Sequence, residues 1–451
     1  MDIKTIKTIE SATEKSISSF AKLSLSLLFL LAVFLWTYSS HGKVPDNTFL
    51  IIGAIFGAYM ALNIGANDVA NNVGPSVGAK ALTLTGAIII AGIFESAGAI
   101  IAGGDVVNTI KSGIIDPNLI TDKNSFIWAM TAGLLAGAVW LNFATSIGAP
   151  VSTTHAIVGG VMGAGIASAG FSILNWGSLA EIASSWIISP LLGGIVAAGF
   201  LYFIKKQIVY KENMLEQAQK FVPILIAIMT WAFTTYLILK GLKQLINIGF
   251  YSASGISILF AIVAYYLTKK SIEKNLSNLT NDRSSVNKLF TPALIFGAAL
   301  LSFAHGANDV SNAIGPLAAI NDAIMHGGTS VQASVPFWIM FVGAIGIVIG
   351  LVLYGPRLIK TVGSEITELD QMRAFSVAMA TAVTVILASQ LGLPVSSTHI
   401  AIGGVFGVGF LREALDMSEK NYVQDIREKF KKHKKELEKA QADLAKLEAI
   451  K

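Results

Sequence analysis

The chain has 451 residues, 53% of them hydrophobic and only 14% charged, with a formal net charge of +5 and no cysteine. An average soluble domain is roughly 25% charged, so this composition indicates a membrane protein. The missing cysteines exclude disulfides, thiol nucleophiles and Cys-ligated metals, and no nucleic-acid partner is expected.

Stretches such as AKLSLSLLFLLAVFLWTYSS (21–40) and VPFWIMFVGAIGIVIGLVLYG (335–355) are long enough to cross a hydrocarbon core, which takes about 20 apolar residues. In chain order the candidates are 21–40, 47–66, 81–103, 126–148, 150–170, 180–204, 222–240, 253–268, 290–305, 333–355, 373–391 and 394–412. The first has no clear small-residue cleavage site and no lipidation motif precedes it, so it reads as a retained span. The expected fold is an all-α polytopic membrane protein with about 12 transmembrane helices. Residues 150–170 and 394–412 are the two stretches that a re-entrant hairpin would also accommodate. The basic segments 205–220 and 268–288 and the Lys-rich tail after Arg412 belong in the cytoplasm by the positive-inside rule. Twelve crossings would place the N-terminus there too, in a cell membrane.

Internal repetition organises the rest. GANDVANNVGP at 65–75 returns as GANDVSNAIGP at 306–316, 241 positions on, and IGAPVSTTHAIVGGVMGAG at 147–165 returns as LGLPVSSTHIAIGGVFGVG at 391–409, 244 positions on. Two unlike motifs recurring in one order at nearly one distance mark a duplication. The chain divides into an N-terminal segment with the first span (1–45), repeat 1 (46–204), basic loops flanking two linking spans (205–288), repeat 2 (289–413) and a charged C-terminal helix (414–451). Seven crossings separate equivalent points, an odd number, so the repeats are expected in inverted orientation with broken or re-entrant helices meeting at a midplane site.

Each motif implies its own chemistry. Gly65, Gly74 and Pro75, with Gly306, Gly315 and Pro316, are residues that let a membrane helix break and free backbone groups. Into that break the sequence places Asn67, Asp68 and Asn71, and again Asn308, Asp309 and Asn312. Hard oxygens with a single carboxylate suit a small monovalent cation, whereas a transition metal would call for a neutral His or several carboxylates. Asp68, Asp309, Asn67 and Asn308 are therefore candidate ligands for such a cation, with simple helix capping as the alternative. In PVSTTH and PVSSTH, Pro followed by hydroxyl residues starts a helix, and a helix N-terminus is an anion seat. Ser152, Thr153 and Thr154, with Ser396, Ser397 and Thr398, are candidate ligands for a tetrahedral oxyanion held between the two seats, joined by Asn67, Asn71, Asn308 and Asn312. Glu95 lies inside a predicted span as a candidate cation ligand or coupling residue. Lys111 with Thr109, and Lys360 with Thr361, end matching spans and are candidate anion contacts, the alternative being lysines that snorkel. His155 and His399 sit one turn into the second-motif helices, as orienting groups or as proton acceptors. The Gly-rich runs 159–165 and 403–409 read as close helix packing.

At these residues the sequence resembles the inorganic phosphate transporter (PiT) family, over about 46–204 and 289–413. The resemblance implies a secondary carrier for inorganic phosphate, not an enzyme, with sodium or protons as the coupling ion and no other cofactor; some relatives carry sulfate. It assigns importance to Asp68 and Asp309 and maps an acidic residue onto Glu95. The Glu that some members carry before the second Pro-Val-Ser motif is expected at Ala378, where this chain has none. A homodimer follows from the same resemblance. In the tail, Val423, Ile426, Phe430, Leu437, Ala440, Leu444 and Leu447 fit a heptad, read as a short coiled coil, a membrane-surface helix or a solvated one. The reading that results is a sodium-coupled phosphate symporter working by alternating access. The alternatives are a proton-coupled carrier of phosphate or metal–phosphate, a sulfate carrier, a passive anion channel, and an intramembrane hydrolase using Ser152 or Ser396.

Overall fold

In hydrocarbon every backbone N–H and C=O has to be satisfied within the chain, and the helix is the local way to do it. The computed structural model describes residues 3–44, 47–116, 119–120, 122–241, 248–275, 279–326, 335–365 and 369–448. Helices follow in the order α1 (Ile3–His41), α2 (Asn47–Asn67), α3 (Val69–Gly78), α4 (Leu84–Ala102), α5 (Gly104–Ser112), α6 (Lys123–Ile147), α7 (Thr153–Ala169), α8 (Trp176–Ile204), α9 (Met214–Gly241), α10 (Phe250–Asn275), α11 (Arg283–Leu289), α12 (Thr291–His326), α13 (Phe337–Lys360), α14 (Gln371–Gln390) and α15 (Ser397–Glu448). Side-chain caps fix several starts: Thr83 accepts from the Gly86 amide, Asp122 from Ser125 and Asn175 from Ser178. The amide and hydroxyl of Ser125 hold the Asp122 carboxyl below its ordinary range.

Among the described residues, ten helical segments are long and apolar enough to cross a membrane, where the sequence suggests about twelve. Those that drop out are 150–170 and 394–412. Helix α7 has 17 residues, which at 1.5 Å each reaches about 26 Å, short of the ~30 Å core. Helix α15 begins apolar but runs on unbroken into the charged tail. Most side chains of the heptad segment lie outside the described residues.

The expected helix break at GAND is smaller than the glycines and prolines suggest. In the first copy only Asp68 interrupts the helix, between α2 and α3, and in the second copy α12 runs straight through. Pro75 and Pro316 sit inside their helices. A proline has no N–H to donate, so the helical bonds to the carbonyls of Asn71 and Asn312, four residues earlier, are absent without a break.

The two GAND helices form the centre. Helix α12 is buried from Ala293 to Ala323 along nearly its whole length, and α2 from Met60 to its end. They run antiparallel, with Gly53 of α2 against Ile320 and Gly57 against Leu317. On the outside, α1 presents Leu23, Leu27, Leu28 and Leu31, and α10 presents Leu259, Phe260, Val263 and Leu267, apolar faces suited to lipid.

Each GAND helix also packs against a helix of the other repeat. A Cβ built on Gly65 of α2 would lie 1.8 Å from the Ile347 carbonyl oxygen of α13, and one on Gly350 of α13 1.9 Å from that of Leu62. A Cβ on Gly306 of α12 would lie 2.2 Å from the Glu95 carbonyl oxygen of α4, and one on Gly98 of α4 2.0 Å from that of Phe303. Only glycine permits such approach, the small-residue packing by which membrane helices associate. The four contacts are two matched pairs, since Gly306 and Phe303 repeat Gly65 and Leu62 at 241 positions, and Gly350 repeats Gly98 at 252.

Candidate functional site

The turns before α7 and α15 are built alike. Gly148 and Gly392, 244 positions apart, adopt φ of 79° and 69°, left-handed values that glycine supplies without strain. The chain then reverses toward the GAND helices and is held there by asparagine. Asn67 donates to the Ala149 carbonyl and to Thr145 Oγ1, and accepts the Val151 amide, each at 3.0 Å. Asn308 donates to the Leu393 carbonyl at 3.3 Å, the matching contact in repeat 2. Ser152 and Ser396 cap the helices by accepting the amides of His155 and His399, at 3.1 and 3.2 Å.

The first turns of α7 and α15 meet the GAND residues across the repeats. Asn71 of repeat 1 donates to Thr398 Oγ1 of repeat 2 at 2.8 Å, while Asn312 of repeat 2 donates to Thr153 and Thr154 of repeat 1, both at 3.1 Å. Thr398 donates to Asp68 Oδ1, and Thr154 to the Val395 carbonyl at 3.1 Å. Thr153 links the two acids: its hydroxyl is 2.5 Å from Asp68 Oδ2 and 3.4 Å from Asp309 Oδ2, with Ser397 Oγ 3.5 Å from the latter. All of these residues are buried. Asp68 makes no side-chain cap to α3, so its carboxylate serves the cluster and not the helix end.

The arrangement gathers Asp68, Asn71, Thr153, Thr154, Asp309, Asn312, Ser397 and Thr398, with Asn67, Asn308, Ser152 and Ser396 fixing the turns around them. Four other candidates lie apart. Thr109 donates to the Gly392 carbonyl at 2.8 Å, and Lys111 forms a buried ion pair with Asp322, near the end of α12. Lys360 and Thr361 line a separate cavity of about 490 Å³ with Arg357, which donates to the Ser146 carbonyl. His155 and His399 face each other at 4.6 Å between ring centroids, and Trp186 lies 3.9 Å from His155.

Glu95 has partners that sequence reading did not single out. Its Oε1 accepts from Asn72 at 2.6 Å, and its Oε2 lies 2.8 Å from Nδ1 of His305. The other ring nitrogen of His305 is 3.0 Å from Asp309 Oδ2. The available signal was the residue before each GAND, Ile64 in the first copy and His305 in the second. The glycine register places the counterpart of Glu95 at Ile347, 252 positions on; Ala378, where the family resemblance puts a further Glu, lies on α14.

A buried, doubled cluster of carboxylates, amides and helix N-termini can hold cations and an oxyanion together. The family model described as phosphate transporter family matches residues 64–435, nearly the whole of both repeats. This chain belongs to that family. As a family member it is a multi-pass membrane transporter and not an enzyme. A protein of Helicobacter pylori strain J99 described as "Putative phosphate permease" is 53% identical over 431 residues, 95% of this chain and 81% of the relative. A Thermococcus kodakarensis protein of the same description is 39% identical over 385 residues, 84% of this chain and 93% of the relative. The solved structure titled "The sodium-dependent phosphate transporter" superposes with a TM-score of 0.76 at 36% identity, covering 81% of this chain and 90% of that one.

Proposed function

We propose that this phosphate transporter family member is a sodium-coupled symporter that carries inorganic phosphate into the cell by alternating access of two inverted repeats. The observation that carries the reading is the pair Asp68 and Asp309, one from each repeat, joined through the Thr153 hydroxyl inside a membrane-spanning bundle. Two buried carboxylates without counter-ions are costly, and two sodium ions beside them would be neutral. The phosphate would then meet the N-termini of α7 and α15 and their hydroxyls, a site for anions by partial charge and free N–H groups. Without the cations the two carboxylates stand uncompensated at low dielectric beside the place where the anion binds, so the anion enters only after sodium, which is the physical basis of coupling. If the phosphate is monovalent, each turnover moves one net charge inward, worth ~2.3 kcal/mol per 100 mV.

Inverted orientation is supported by the antiparallel packing of α2 on α12 and by the matched glycine contacts. The basic loops and the tail set the cytoplasmic side, and the reading includes a homodimer, on the family resemblance alone. A proton-coupled version has one observation in its favour, the chain of contacts from Glu95 through His305 to Asp309. Uptake of labelled phosphate into proteoliposomes, with an inward sodium gradient compared with an inward proton gradient, separates the two. Accumulation driven only by sodium and unaffected by excess sulfate is expected; accumulation driven only by protons overturns the sodium assignment.

A further inference from the structure

The Glu95–His305–Asp309 contacts exist at only one of the two matched interfaces between the repeats, that of α4 with α12. Their counterparts at 241 and 252 positions are Ile64 for His305, Ala313 for Asn72 and Ile347 for Glu95, so a polar unit on one side faces aliphatic residues on the other. A sodium site made of Asp68, Asp309 and the threonines does not need this addition, and sodium does not select for imidazole.

The geometry is that of a histidine prepared as a metal ligand. Ligating histidines donate the second ring N–H to a carboxylate, which fixes the tautomer and aims the other nitrogen at the metal. Here Nδ1 of His305 is held by Glu95, itself anchored by Asn72, and Nε2 faces the acidic pair. Among the described residues Oδ1 of Asp309 is buried and has no hydrogen-bond partner, while Nε2 of His305 is buried with Asp309 Oδ2 3.0 Å away. One ligand atom from each of Asp68, His305 and Asp309 lies within 4.8 Å of the others. Two carboxylates and one imidazole, which gives up its Nε2 proton on binding a metal, form the mixed nitrogen and oxygen donor set of first-row transition metals, with coordination positions left open.

We propose that Asp68, His305 and Asp309 form a binding site for a divalent first-row transition-metal ion, which occupies the same pocket as sodium and excludes it. The inference rests on the functional reading only in placing both ions on one acidic pair.

The test is titration of the purified full-length protein with Co²⁺, read by its visible d–d absorption, without phosphate and with sodium as a variable. Expected are a saturable spectrum at one ion per chain, displacement by Zn²⁺, and a midpoint that rises with sodium. His305→Ala should weaken binding at least tenfold, and Glu95→Gln, which keeps the ring but loosens its anchor, about tenfold or more. His326→Ala and His433→Ala, at positions outside the cluster, should leave the spectrum unchanged. A spectrum that never forms, or that survives in both His305→Ala and Glu95→Gln, overturns the site; the first outcome leaves His305 as a cation paired with two carboxylates. Loss of Co²⁺ binding beside intact sodium-driven uptake removes this inference alone. Co²⁺ binding beside purely proton-driven uptake removes the sodium reading alone.

Discussion

The two halves of the molecule agree where the backbone is crowded and disagree where the polar core is charged. Glycines at matched positions, the left-handed turns at Gly148 and Gly392, the Ser152 and Ser396 caps and the Asn71 and Asn312 exchanges all occur twice. Glu95, His305 and Asn72 occur once, opposite Ile347, Ile64 and Ala313. Lys111 and Asp322 also pair at one interface between the repeats only, since the counterpart of Lys111 is Gly363 and that of Asp322 is Ala81. The repeated motifs thus build a symmetric frame with an Asp from each repeat, and ionic partners are added to it on one side. Features that depend on packing are shared, as are the two acids; the groups paired with Glu95 and Lys111 are not.

The largest test of the shared part is to neutralise its acids. Asp68→Asn and Asp309→Asn are each expected to lower sodium-driven phosphate uptake in proteoliposomes by two orders of magnitude or more, about 2.7 kcal/mol, with the protein still folded in detergent. Wild-type uptake in both would sink the cation assignment, and a large difference between them would show that the acids are equal in place but not in role. Next comes the unshared part. Ile347→Glu puts a carboxylate opposite Glu95 without its partners, and an uncompensated buried charge costs about 3–5 kcal/mol. Thermal unfolding in detergent should fall markedly, and less so when Ile64→His and Ala313→Asn are added.

The Lys111–Asp322 pair offers a smaller contrast. Either single change, Lys111→Met or Asp322→Leu, should destabilise by about 3 kcal/mol, whereas the double change should recover most of that because no buried charge is left alone. A double variant as unstable as the singles would mean that the pair holds the helices by more than charge. At the small end, Ser152→Ala and Ser396→Ala should each cost about 1 kcal/mol, as the loss of an N-cap does. Unequal effects in unfolding experiments would reveal a second duty for one of these hydroxyls.

Much of this was legible in the sequence for a physical reason. The duplicated motifs hold polar residues in a hydrocarbon environment, where each one is costly, so their recurrence pointed to the polar cluster that the structure brings together. Asp68, Asp309, Asn71, Asn312, Thr153, Thr154, Ser397 and Thr398 converge because the repeats exchange bonds at their centre. Asp322 was not legible, since 211 residues separate it from Lys111 and no local pattern links them. His305 was visible as a departure from the repeat immediately before GAND but has meaning only once Glu95 is beside it. The repeat counterpart of Glu95 was not legible because displacement along the chain does not reveal which later helix packs on which, a register the glycines supply. The expected span number differs from the ten long apolar segments at α7, which is apolar but only 17 residues long, and at α15, whose apolar start runs into charge.

The glycine contacts also bear on how the protein is made. Leu62 meets Gly350, and Gly98 meets Phe303, so each repeat finishes its packing on the other. At a synthesis rate of about 5–20 residues per second, Leu62 waits roughly 15–60 s for its partner to emerge. During that interval the carboxylate of Asp68 is already in or near the membrane without Thr398, which comes later still. Neither repeat expressed alone contains the surface it closes on, so the chain matures by interweaving, and its first half has to be kept open until the second arrives.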